Sequence, residues 1–182
     1  MDFSFIASYV VVALAAAALI YAALSDLKNF TIRNSLVLLL AFLYVVHAAL
    51  TRRWAEVPRD LELAAAMFAI TLVFYWLGLL GGGDVKLLTV AFLWVGGHGA
   101  MVFAILLGVI SFIHVIAGLF GWLSVRQVGR RRQIAFAPSV AGALIGSFML
   151  GSVQPWPWDV PRQLAGGNKP PRLHVQDLRG LQ

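Results

Sequence analysis

Of the eight acidic residues in the chain, six lie where water is expected. These are Asp2 at the terminus, Glu56, Asp60 and Glu62 in or beside a polar stretch, and Asp159 and Asp177 near the C-terminal end. The other two, Asp26 in ALSDLKNFTIRN and Asp84 in LLGGGDVKLL, stand at the ends of apolar runs. A carboxylate at a membrane boundary is costly, which makes it a candidate for function. Two such groups facing each other can share one proton, one acting as base toward a water and the other as acid toward a carbonyl and its leaving amine. Hydrolysis by this route needs no metal.

The surroundings of Asp84 are specific. Gly81, Gly82 and Gly83 lack Cβ, so the chain is expected to take positive φ there or to let another backbone come close. A helix starting at Asp84 or Val85 would aim unpaired N–H groups and a positive dipole end at the carboxylate. Simple capping of that helix accounts for Asp84 equally well. A phosphate loop does not, because the Walker spacing and a preceding strand are both missing. Asp26 has its own plain reading as a surface partner of Lys28, and Lys86 reads either as a topology anchor or as a cation tuning Asp84. The chain has no cysteine, which excludes disulfides, thiol catalysis and zinc–cysteine sites. His47, His98, His114 and His174 share no ligand spacing, so neither a metal nor another cofactor is expected.

The elements that must hold these residues are membrane helices. In 182 residues, 60% are apolar and 12% charged, whereas a soluble domain carries about 25% charged residues. Six apolar runs read as spans, at about 3–24, 35–50, 61–80, 85–95, 100–123 and 134–151, the fourth being short for a full crossing. The first has no basic lead-in or cleavage site and is expected to remain in the mature protein. The fold class is therefore all-α, a polytopic transmembrane bundle forming one domain over residues 1–151. Gly142 and Gly146 have the small-xxx-small spacing that packs helices within a monomer. A Pro/Gly-rich tail over 152–182 reads as flexible, with Trp156 and Trp158 suited to an interfacial belt.

Seven Lys and Arg residues fall in the loops after the first, third and fifth spans, against three in those after the second and fourth. The N-terminus is then outside, and Asp26 and Asp84 share the cytoplasmic face. The net charge of +6, including Arg130, Arg131 and Arg132, needs no nucleic-acid partner.

Gly81-Gly82-Gly83-Asp84-Val85-Lys86 resembles the GxGDxK signature of the type IV prepilin peptidases, the GxGD membrane aspartyl proteases. Asp26, followed by Lys28, Ile32 and Asn34, resembles the family's first aspartate motif, except that Arg33 stands where Ile-Pro-Asn has proline. Phe136-Ala137-Pro138 resembles the late segment that opens the last helix. The resemblance covers roughly residues 1–151. It implies Asp26 and Asp84 as the catalytic pair, supported by Gly81, Gly83, Lys86 and Asn34. It further implies a prepilin as substrate, the inner membrane of a bacterium as location, and contact with lipids and the pilus assembly machinery. Bifunctional members carry paired cysteines on an additional N-terminal segment and methylate the product. This chain, without cysteine and beginning at its first span, instead resembles the short peptidase-only members of Tad/Flp systems. A rival reading is a non-catalytic scaffold or small transporter with a structural or proton-relay aspartate pair, which an inverted repeat or a second buried charge would favour.

Overall fold

The computed structural model describes residues 3–120, 126–128, 131–133 and 135–151. The segment 152–182, expected to be a flexible tail with Trp156 and Trp158, lies outside the described residues. Helix α1 (Phe3–Asn29) has neither glycine nor proline in its 27 residues, and at 1.5 Å per residue it is about 40 Å long, more than the hydrocarbon thickness of a bilayer. Val11, Ala15, Ala18, Leu19, Ala22 and Asp26 are buried along one stripe of it, while Val10, Leu14, Tyr21 and Leu24 are exposed. The small residues on this stripe allow neighbouring helices close, and Asp26 ends it. Its carboxylate therefore faces the core rather than Lys28 and the surface.

The chain leaves α1 at Phe30, with φ 52, and enters α2 (Asn34–Leu50) through Arg33, with φ −70 and ψ 132. That φ is the one a proline ring imposes. Arg33 thus reproduces the backbone of the expected proline without its ring.

Helix α3 (Val57–Trp76) has a proline in its first turn, where no intrahelical donor is lost. It stops at Gly78, whose φ of 71 is readily taken only without a Cβ. The Gly78 N–H donates to the Tyr75 carbonyl and the Leu79 N–H to that of Phe74, both at 2.9 Å. These are the two bonds of a Schellman cap, and they turn the chain toward Gly81.

Helix α4 (Gly82–Leu119) is broken at Gly96, where φ is 58 and ψ −172. The Phe92 and Phe103 rings meet edge to face, 4.9 Å between centroids, whereas eleven residues of continuous helix would separate them by about 16 Å. The chain therefore folds back at Gly96, and the expected fourth and fifth runs are two reversing segments of α4. The first is almost wholly buried, with Val85, Leu87, Leu88 and Val90 through Val95 in the core, so it forms the centre of the bundle.

A two-stranded antiparallel hairpin, β1 (Arg126–Val128) with β2 (Arg131–Gln133), follows in the basic stretch that was expected to be a plain loop. The last described helix is α5 (Ala137–Met149). Helix α3 packs on α4, α4 on α5, α1 on α2 and α5, and α2 on α4. A Cβ at Gly142 would meet Ile110 at 3.4 Å and one at Gly146 would meet Leu106 at 3.2 Å, so the small-xxx-small face of α5 lies against α4 of the same chain. Among the described residues, two helical runs are long and apolar enough, by length and composition, to cross a membrane, α1 over Ile6–Asn29 and α4 over Gly82–Gly118, the latter folded back at Gly96, with α2 and α5 shorter apolar helices.

Asp60 corrects one expectation. It is buried in the first turn of α3 rather than bathed in loop water. The Tyr44 hydroxyl of α2 donates to its Oδ2 at 2.8 Å, and the carboxylate lies against the backbone of Gly96. Beside it, Trp94 packs on Tyr44 and His47, and its indole N–H donates to the Leu40 carbonyl at 2.9 Å.

Candidate active site

Three stretches of chain converge at one end of the bundle around a cavity of about 490 Å³. Asp26 with Phe30, Thr31 and Ile32 forms one wall, Gly78 through Gly83 with Asp84 a second, and Ala135 and Phe136 a third. Both carboxylates line this one cavity. The packing of α1 and of the first segment of α4 through the core brings them together, although 57 residues separate them in the sequence.

Each carboxylate is held by a backbone donor at the start of a helix. Oδ2 of Asp26 accepts from the Ala137 N–H, the first of α5, at 3.0 Å. Oδ2 of Asp84 accepts from the Gly81 N–H at 3.1 Å, and Asp84 is the third residue of α4. In both places an unpaired N–H and the positive end of a helix dipole meet an anion. Asp26 is buried, 5% exposed, while Asp84 is half-buried. The helix starts at Gly82, ahead of the expected Asp84 or Val85, so Asp84 caps it from the third position through the Gly81 N–H rather than as the N-cap, and the same carboxylate lines the cavity.

Of the two uses expected of the glycine run, positive φ is not taken at Gly81, Gly82 or Gly83, and close approach is. What the run supplies is room. A Cβ on Gly81 would stand 3.0 Å from Oδ2 of Asp84, and one on Gly83 would stand 3.1 Å from Cβ of Ile32. Through Gly83 the loop after α1 closes on the start of α4.

Lys86 turns to Asn34, its Nζ donating to Oδ1 at 3.0 Å. This bond ties the start of α4 to the start of α2, immediately after the loop that carries Ile32. Lys86 and Asn34 therefore brace the cavity walls as a pair, an arrangement that the anchor and tuning readings did not contain. The Ala137 N–H was not identifiable in advance as the partner of Asp26, although Pro138 signalled a helix start beside it. Among the described residues no group of three or more His, Asp or Glu side chains gathers where a metal ion would be held.

The fold and the cavity define a helical, membrane-type protein with two aspartates in one cleft at the ends of its apolar helices. The family model of the type IV leader peptidases matches residues 13–119, more than half of the chain, and the chain belongs to that family. Membership makes it a protease of the leader-peptidase type, with substrates of the prepilin type in general. No curated protein and no solved structure gives a significant match. The matched region contains Asp26, Asn34, the glycine run, Asp84 and Lys86. It ends before the start of α5, which supplies the donor to Asp26.

Proposed function

We propose that the chain is an aspartic endopeptidase that removes the leader of a type IV, Flp-like prepilin, with Asp26 and Asp84 as its catalytic pair. The observation that carries this reading is the placement of both carboxylates in the wall of one cavity. An ionised member of the pair takes a proton from a water whose oxygen attacks the scissile carbonyl carbon. The protonated member gives its proton to the carbonyl oxygen. When the tetrahedral intermediate collapses, the carbon–nitrogen bond breaks and a proton passes to the leaving amine, so one water is consumed per bond cut. The backbone donors from Ala137 and Gly81 orient the two acids before substrate arrives, which removes that cost from the reaction step.

A prepilin, with a short basic leader ahead of a hydrophobic helix, suits this position. The cavity lies where α1 ends and α4 begins, so the scissile bond meets water while the apolar stem stays beside apolar helices. In the orientation that loop charge favours, the cavity opens at the cytoplasmic face of the bacterial inner membrane, among lipids and within reach of the pilus machinery. With no cysteine in the chain, we assign it cleavage alone, without methylation of the product.

The test is cleavage of a prepilin by the purified chain in detergent, followed by mass spectrometry of the shortened pilin. Asp26→Asn and Asp84→Asn should each lower the rate by at least about 100-fold, since an amide cannot exchange the required proton. Wild-type cleavage by either folded variant would show that the pair is structural.

A further inference from the structure

The carboxylate of Asp26 is held by backbone N–H groups at the start of α5, those of Ala137 and Phe136, whose own position has to be set. Helix α5 opens with Phe136-Ala137-Pro138-Ser139, and a helix start normally leaves several N–H groups without partners. Here Pro138 has none to offer. The N–H groups of Ser139 and Val140 bond back to the Phe136 carbonyl at 3.0 and 3.3 Å. That of Ala137 goes to Asp26, so Asp26 is held only as firmly as the first turn of α5.

The same turn carries Ser139, which is 1% exposed. Its Oγ lies 2.9 Å from Nδ1 of His114, on the second segment of α4. Nε2 of His114 is buried with no hydrogen-bond partner among the described residues, and the ring is within electrostatic reach of Asp26. The nearby α4 residues Phe112, Ile113, Val115 and Ile116 are exposed and apolar. An imidazole with an unmet buried nitrogen is costly in such surroundings, and an apolar residue would pack there without that cost. Neither His114 nor Ser139 lines the cavity.

We propose that His114 and Ser139 are positioning residues for Asp26, their bond pinning the first turn of α5 to the second segment of α4. The proposal rests on the dyad reading above. Asp84 is carried by the first segment of α4, and Asp26 is held through Ala137 by a turn fastened to the second segment, which packs back on the first through Phe92 and Phe103. Loss of the fastening shifts Asp26 against Asp84, while the walls formed by residues 30–32 and by the glycine run stay as they were.

Ser139→Ala, His114→Ala, the double variant and His114→Asn, measured with the full chain and a prepilin in detergent, test the proposal. Ser139→Ala and His114→Ala should each lower kcat about tenfold with KM unchanged, as expected for a small misplacement of a catalytic group. The double variant should be no slower than the slower single one, because the two residues act through one bond. His114→Asn keeps a polar group for Ser139 and should recover most of kcat. If His114→Ala fails to fold, Ser139→Ala together with the NMR signal of the Ala137 amide carries the test. That signal should shift in Ser139→Ala as it does in Asp26→Asn. Wild-type kcat and an unmoved Ala137 signal in folded Ser139→Ala would overturn the positioning role. So would a rise in KM with kcat unchanged. With Asp26→Asn inactive, those results leave the dyad reading intact, whereas an active Asp26→Asn removes the dyad reading and the positioning role with it.

Discussion

Replacing Gly96 by alanine should be among the most damaging single-methyl additions in this protein. The residue sits at φ 58 and ψ −172, a region that essentially only glycine occupies, and holding another residue there costs about 1–3 kcal/mol. The added Cβ would overlap the Asp60 carboxylate. Asp60 would have to move and give up its 2.8 Å bond from Tyr44, and a hydrogen bond to a carboxylate contributes about 1.5–3 kcal/mol. Together these place Gly96→Ala about 3–5 kcal/mol below the wild type. Gly97→Ala is the control, since a Cβ there meets only Cδ of Arg59, at an ordinary 3.6 Å. It should be neutral or slightly stabilising, because alanine favours helix over glycine by about 1 kcal/mol. Reversible unfolding of both variants in mixed micelles measures the difference. If Gly96→Ala unfolds within about 1 kcal/mol of Gly97→Ala, neither the backbone strain nor the contact with Asp60 is real. The prepilin rate should fall with the fraction folded, because the reversal at Gly96 returns His114 to the end of the bundle where Asp84 begins.

Three further outcomes are expected. Gly81→Ala should fold normally and lose kcat about tenfold, because its Cβ presses on the Asp84 carboxylate and shifts it by a few tenths of an ångström; cleavage and unfolding measured side by side check this, and unchanged kcat would refute it. Glu56 is held below the usual carboxylate range by its bond from Arg53, so its contribution is present above the ordinary carboxylate pKa and is lost as pH falls through the lowered one. Glu56→Gln should therefore cost about 1 kcal/mol or less at neutral pH, the pair being half-exposed and screened by water, with the difference vanishing in acid; a difference that grows on acidification would show the sign to be wrong. Finally, chelation should leave cleavage unchanged and the product should carry no added methyl group, as mass spectrometry of the new N-terminus with and without chelator will show.

Much of the architecture was legible in the chain because apolar runs long enough to cross a bilayer must pair their own backbone groups, and helices do so locally. The same economy made Asp26 and Asp84 conspicuous, since a carboxylate at the end of an apolar run has a cost that needs a reason. The glycines near 96 marked the break between the fourth and fifth runs. Tertiary packing decided what those residues touch. Asp60 stands in a polar stretch of sequence, yet its burial depends on Tyr44, sixteen residues before it, and on the backbone at Gly96. The glycine run reads as conformational freedom, but it is used as space beside Asp84 and Ile32, which is a property of neighbours. The donor that holds Asp26 is 111 residues away. A bond of that kind follows from how α1, α4 and α5 pack, and helix packing depends on side-chain shape across the whole bundle rather than on the pattern within any one segment.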